Sequence, residues 1–327
     1  MALVALVALA ALVVVAVAFA PGPLGAPSVV GVENRFGPVN ESTTVVESDL
    51  AVRNPNPVGA AAGVTVAYAV DVNDVRLATG ERRGVRLPPG RSTVPFRTRV
   101  RNDRIPEWWV SHVRNGERTT VAVRADVAAG GTASFDAPTV TRTVETDLLA
   151  GLNSTEPRPV NAGLPGVSDP VLVVEETSAA WGTVTDEATP VRLRFVVRNP
   201  KPYPVGMTAL SYDASTNGVP VGEGETDAFV VPPGGTRTVE TTAVVRVDAL
   251  DDWWVTHLRR NQVSTLRLAF AARVDVGGTV VEVPLDPLAY EHTVETDVFG
   301  TKPGNETART RGTATSGGPT ATAPAVR

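Results

Sequence analysis

The sequence predicts an all-β protein: two tandem β-sandwiches, each with one short inserted helix, behind an N-terminal transmembrane helix. Three observations carry that reading. A set of landmarks occurs twice in the same order, at an offset of 144 to 150 residues. Between the landmarks, apolar residues alternate at period two, the spacing of a half-buried strand. Ahead of both copies, residues 2–20 form an unbroken apolar run. The offset is too long for a solenoid, whose repeats run at roughly 20–50 residues, and fits a duplicated domain. The expected division is an anchor at 1–21, a first sandwich at 27–150, a linker at 151–168, a second sandwich at 169–300 and a tail at 301–327.

The apolar run from Ala2 to Ala20 has no charged or strongly polar side chain. As a helix it would span roughly 28 Å at about 1.5 Å per residue, close to one hydrocarbon core. A cleaved signal peptide is the competing reading, because Ala18-Phe19-Ala20 has the small-x-small form. Against it stand Pro21 just after the cut, a missing basic n-region and an overlong apolar stretch, so an uncleaved anchor is expected. The first basic residue is Arg35, which leaves charge rules of orientation little to count. The sequons at Asn40, Asn153 and Asn305 favour the bulk of the chain outside, although a chain of this composition produces about two such triplets by chance. The Thr-, Gly- and Pro-rich tail 301–327 cannot bury enough apolar surface to fold, and favours the same side as a stalk.

At 327 residues the chain suits two domains, each large enough to bury a core without staples. With no cysteine, disulfides, thiolate metal sites and cysteine nucleophiles are excluded. A net charge of −5 argues against a nucleic-acid partner. Lys201 and Lys302 are the only lysines among 30 basic residues, the composition of a high-GC genome such as that of a halophilic archaeon.

Within each copy the elements follow in order. Leu50 and Val52 share one face of a strand that ends at Asn54-Pro55-Asn56-Pro57, and Phe195 and Val197 repeat this before Asn199-Pro200-Lys201-Pro202. Proline has no N–H for a ladder, so the chain leaves the sheet there, and the asparagine can bond its own nearby backbone. Tyr68 and Tyr212 mark the next strand, each followed by a turn: Asn217-Gly218 is a strong hairpin signal and Asn73-Asp74 a weaker one. Pro88-Pro89-Gly90 and Pro232-Pro233-Gly234 break the chain before strands at 93–100 and 238–247. Ile105, Trp109 and Val113, matched by Leu250, Trp254 and Leu258, then fall at helical spacing. Pro106 suits the first turn of that helix, and Asp251 is the expected N-cap of the second copy. So short a helix must be held by burying its tryptophans on the sheet. Strands resume at 119–127 and 265–276, with Gly-Gly hairpins at Gly130-Gly131 and Gly277-Gly278.

A strand ending in Asn-Pro-x-Pro, a tyrosine strand with its turn, a Pro-Pro-Gly break and a short helix before the last strands resemble the type 2 late embryogenesis abundant family, whose module is also called the water stress and hypersensitive response domain. The resemblance covers about 29–148 and 170–298. It implies a fibronectin-III-like sandwich, attachment by one N-terminal membrane helix, a link to water stress, and no catalytic residues or cofactors. The Trp-Trp-Val-(Ser/Thr)-His pattern lies within these ranges but is not one of the features that carry the resemblance, and it points to a narrower subgroup.

Few residues point to chemistry. His112 and His257 each follow Trp108 or Trp253 by four residues on one helical face, which reads as ring packing. A metal site needs three or four convergent ligands, and each copy offers one such histidine. Glu145 with Asp147, and Glu295 with Asp297, fall on one strand face as a solvated edge that discourages aggregation. Ser111 and Thr256 sit beside the histidine in a poor geometry for attack. Two readings follow. One is a non-catalytic, membrane-anchored protein that binds or protects other macromolecules or membrane surfaces during water stress. The other is a lipid or apolar-ligand module in which Trp108, Trp109, Trp253 and Trp254 contact the ligand, one ring of each pair staying partly exposed. A structural cell-surface role is a third. Partners are expected to be the membrane, other proteins or lipids, and not nucleic acid.

Overall fold

The computed structural model describes residues 27–57, 64–129, 133–136, 139–161, 168–276, 279–285 and 289–297. The anticipated anchor, the tail with Asn305, and both Gly-Gly hairpins lie outside these residues. Among the described residues, no helix is long and apolar enough to cross a membrane.

The first copy is a two-sheet sandwich. One sheet has the order β1-β2-β5, formed by β1 (Ser28–Val39), β2 (Thr43–Asn54) and β5 (Gly90–Arg101). The other runs β4-β3-β6, from β4 (Val75–Val85), β3 (Val64–Val72) and β6 (Arg118–Ala129), with β7 (Ala133–Asp136) and β8 (Val140–Glu145) both paired to β6. All pairings are antiparallel. Alternation does what period two requires: Leu50 and Val52 of β2 face Val64, Val66 and Val70 of β3 in the core. Helix α1 (Ile105–Arg114) enters between β5 and β6 after one 3-10 turn, with Pro106 in its first turn, where the missing N–H costs nothing.

The second copy repeats the plan. Its first sheet has the order β16-β11-β10-β9, from β16 (Thr236–Arg246), β11 (Ala188–Arg198), β10 (Leu172–Trp181) and β9 (Arg158–Val160). Its second runs β14-β13-β17-β18, from β14 (Val219–Glu225), β13 (Ala209–Thr216), β17 (Val263–Val276) and β18 (Thr279–Pro284), with β19 (Tyr290–Glu295) on β17. A ribbon of β12 (Val205–Met207) and β15 (Phe229–Val231) stands apart, and α2 (Leu250–Arg259) is the counterpart of α1.

Two expectations are corrected. The segment expected as a linker supplies β9, whose Val160 pairs with Leu172 and joins the second core at 2 % exposure. Asp251 is not an N-cap: a 3-10 turn over Val247–Ala249 leads in, Ala249 holds the cap position, and Asp251 lies within the first turn.

The repeated motifs work as fasteners. Asn54 Nδ2 donates to the carbonyl of Leu87 at 2.9 Å, and Asn199 Nδ2 donates to Val231 O at 3.0 Å, so each strand-ending asparagine ties down the segment that leads into Pro-Pro-Gly. Tyr68 and Tyr212 lie over Gly80 and Gly224, where an added Cβ would come within 2.3 and 2.5 Å of the ring. Asn73 and Asn217 take positive φ in their turns and accept from Thr120 N and Thr265 N. Their side-chain amides donate to Ser111 Oγ and Thr256 Oγ1, so each hairpin turn also clamps the helix.

Candidate functional site

The repeated tryptophans and histidines from both copies converge in one place. Trp108 and Trp109 are neighbours on α1, about 100° apart around its axis, so they cannot face the same wall. Trp108 turns to its own sandwich and donates Nε1–H to Thr119 Oγ1 at 3.0 Å. Trp109 faces the other copy and donates to Thr189 Oγ1 at 3.0 Å. In the second copy, Trp253 donates to its own Ser264 Oγ at 2.8 Å, while Trp254 reaches back to Thr44 Oγ1 at 3.2 Å. The contact is isologous in form: the same surface of each copy meets its equivalent. Edge-on ring pairs bind it further, Trp108 with Trp254 at 5.8 Å and Trp109 with Trp253 at 5.9 Å between centroids. One apolar cluster therefore runs from the first core into α2, taking in Leu250, Trp253, Trp254 and Leu258.

The expected half-exposed ring in each pair is found only at Trp109; Trp254, its counterpart, is 1 % exposed. Nor are the tryptophans spent solely on their own sheets. The doubled tryptophan serves two walls, one intramolecular to the copy and one between copies.

Each histidine is a bridge. His112 Nδ1 lies 2.8 Å from Thr119 Oγ1 and Nε2 lies 2.9 Å from Thr146 Oγ1. The Glu117 carboxylate can only accept, so the Thr146 hydroxyl gives its proton to Glu117 Oε2 at 2.8 Å and must accept from Nε2–H. The neutral ring then takes the Thr119 proton at Nδ1, while Thr119 accepts from Trp108. Glu117 also accepts from Leu148 N at 2.7 Å and, across the boundary, from Trp181 Nε1 at 2.8 Å. His257 sits alike between Ser264 Oγ and Thr296 Oγ1, at 2.7 and 2.9 Å. Burial pushes the His112 pKa down to about 4, with the Glu117 carboxylate opposing the shift, so the ring is neutral at pH 7.

These bonds commit the atoms that a catalytic reading would need free. Ser111 Oγ donates to Trp108 O at 2.7 Å and Thr256 Oγ1 to Trp253 O at 2.7 Å, so neither hydroxyl is aimed at its histidine. Among the described residues, no three His, Asp or Glu side chains converge on a metal position. Glu145 is exposed and pairs with its cross-strand neighbour Arg118 at 2.6 Å, while Asp297 is buried, unlike Asp147. Asn40 and Asn153 are both exposed, with Oδ1 atoms held by Thr43 N and Ala179 N.

A cavity of about 100 Å³ lies between the helices, walled almost wholly by apolar atoms. Trp108, Trp109, Trp253 and Trp254 all line it, with half-exposed Leu148 and Leu266 at the side. The sequence placed these four rings in two separate sites; the fold makes them one. Glu117, Thr44 and Thr189 were not singled out. The signal for the two threonines was their identical place at the start of the strand that ends in Asn-Pro-x-Pro.

Fold and site together define a class of protein: paired β-sandwiches clasped through their inserted helices, with the repeated residues used for closure. Within that class the family is specific. The family model for the late embryogenesis abundant protein matches residues 49–142 and 194–288, more than half of the chain, and the chain belongs to that family. A search of the curated proteins finds no match. Among solved structures, a protein from Archaeoglobus fulgidus is 26% identical, with 38% of this chain and 98% of that one covered at a TM-score of 0.35. A solution structure from Arabidopsis thaliana is 12% identical, covering 41% and 89% at 0.30. A β-glucuronidase from Bacteroides uniformis is 10% identical, covering 77% and 26% at 0.26.

Proposed function

We propose that the protein is a non-catalytic, membrane-anchored body that acts in water stress by binding or protecting other macromolecules or membrane surfaces. The observation that carries this reading is family membership over both copies. Two further features support it. The residues that recur are engaged within the protein, so its polar centre keeps its hydrogen bonds as water is withdrawn. The apolar run at residues 2–20 supplies the anchor, and exposed Asn40 and Asn153 suit a body outside the cell. The test is to dry a labile enzyme, and separately dye-filled vesicles, with the full chain or an equal mass of an inert protein. Retained activity or retained dye with the chain alone is expected, together with protease access from outside intact cells. Equal losses in both samples, with unchanged stress survival after gene loss, would sink the reading.

A second reading rests on the cavity. At about 100 Å³ it lies well below the several hundred Å³ of ordinary ligand pockets. Dry apolar cavities of about 150 Å³ take up benzene or xenon, so this one suits a chain end or a small apolar molecule. Xenon-induced shifts at Trp108 and Trp253 in nuclear magnetic resonance spectra would support it, and a lack of response would end it.

A further inference from the structure

The repeat holds the scaffold constant, which makes the places where the copies differ informative. Between Val75 and Arg101 the first copy has eight arginines and one acid, Glu81; the matching stretch Val219–Arg246 has two arginines and four acids. Four of these arginines, Arg82, Arg83, Arg86 and Arg91, lie toward the end of the sandwich remote from the helices, whereas Arg76 and Arg101 lie at the helix end. Arg53 of β2 and Arg91 of β5 are direct cross-strand partners. Ser28, where β1 begins, lies opposite Arg53 on the other side, so this row of the sheet contains no acid. Arg86, in the loop that leads to Gly90, and Arg82 of β4 stand at the same end. Arg53, Arg82, Arg86 and Arg91 are all exposed, and among the described residues none of them has an ion-pair partner. Like charges set directly opposite destabilise a sheet. The second copy removes this cost: Arg198, the counterpart of Arg53, faces Thr236 and pairs with Glu175.

Val30 is at this same end, in the bulge where β1 shifts register between Val29 and Gly31, and is 46% exposed. Only seven residues, 21–27, separate the apolar run from Ser28, a reach of at most about 25 Å. An arginine fork matches phosphate oxygens two at a time. We infer that Val30, Arg53, Arg82, Arg86 and Arg91 form a docking surface for the anionic phosphate headgroups of the bilayer, holding the first sandwich against the membrane. The inference rests on the proposed anchoring of residues 2–20, which sets this end of the body beside the headgroups.

The chain has no cysteine, so Val30→Cys gives a single attachment point for a nitroxide label. The full chain is mixed with phosphatidylcholine vesicles, with or without phosphatidylglycerol, and both flotation and label collision with oxygen and a nickel chelate are measured. The expected result is a label in the headgroup layer on anionic vesicles only, returned to water by combined Arg53→Glu, Arg86→Glu and Arg91→Glu. A label at Tyr203→Cys, at the matching end of the second copy, stays aqueous throughout. Flotation with both lipids but an aqueous label at position 30 overturns the docking surface and leaves the anchor standing. Flotation with anionic vesicles alone, lost by at least about 100-fold in the triple variant, supports docking and removes the anchor. No flotation with either removes both, and capture of single-stranded RNA by the same arginines, with the label aqueous on vesicles, overturns the lipid assignment.

Discussion

Trp109 of the first copy hands its indole N–H to Thr189 of the second at 3.0 Å, and Trp254 returns the same bond to Thr44 at 3.2 Å. A contact that occurs once could be incidental to how two domains fall together. One that occurs twice, on equivalent residues, shows that both copies use the same face. The duplicated surface is therefore spent on a mutual clasp, and the two sandwiches behave as one body.

That clasp makes unfolding cooperative across the boundary. Trp254 is 1 % exposed and belongs to the core cluster of the first copy, so Trp254→Ala leaves a cavity there and removes the bond across the boundary, Thr44 Oγ1 keeping only its own bond to Asn102 Oδ1. Large aromatic truncations of this kind cost about 3–5 kcal/mol. Calorimetry is expected to show one transition for the native chain and two for the variant. A single transition at an unchanged midpoint in the variant would show that Trp254 does not couple the copies.

Tyr68 and Gly80 give a second test. The ring packs directly against the glycine, and Tyr68 Oη bonds Thr98 Oγ1 at 2.9 Å. A methyl at Gly80 would overlap the ring, so Gly80→Ala displaces Tyr68 and costs about 1–3 kcal/mol by overpacking. Urea unfolding measures it. Combining Gly80→Ala with Tyr68→Ala should be far less than additive, because the second change removes the clash.

How much of this was legible depends on the length scale of the cause. Asn54, Asn199 and the Pro-Pro-Gly breaks were readable because proline and asparagine act on their own backbone. The helices were readable from spacing, but the division of labour between Trp108 and Trp109 was not. Adjacent positions on a helix give no sign of which faces a partner domain. Strand β9 was missed because three residues cannot display an alternation. Glu117 was hidden for another reason: it follows Gly116 in the left-handed region, which aims its carboxylate inward at Thr146 and Trp181. The misplaced cap at Asp251 came from a 3-10 turn that starts the helix earlier than its apolar stripe.

Asn199 is the strongest of the motif asparagines. Its amide donates to Tyr203 O and Val231 O, and its oxygen accepts from Lys201 N at 2.8 Å, all from a fully buried position. Asn199→Ala leaves the Tyr203 and Val231 carbonyls and the Lys201 N–H without this partner, at about 1–3 kcal/mol for each group that water cannot reach. Asn199→Asp keeps the acceptor but sets a buried carboxylate against two carbonyl oxygens, so it should be no more stable than alanine in thermal unfolding. Equal stability of all three would mean that the proline segment is held by other contacts.

His112 makes the stability of the first copy depend on pH. Its folded pKa is about 4, below the ordinary value near 6.5, because the ring is buried between Thr119 and Thr146. Between these values the unfolded chain takes up a proton that the folded chain refuses. The neutral ring's contribution is therefore complete above pH 6.5, declines as pH falls, and is gone once the pH is below 4. The shift corresponds to about 3 kcal/mol over that window. Urea titrations at pH 7, 5.5 and 4 should show His112→Asn less stable than wild type at pH 7, with the gap narrowing as the pH falls. Exposed carboxylates contribute equally to both proteins, so the difference curve isolates the ring. A gap that stays constant from pH 7 to 4 would mean that the folded protein accepts the proton, and that the relay from Trp108 to Glu117 does not fix His112 in its neutral form.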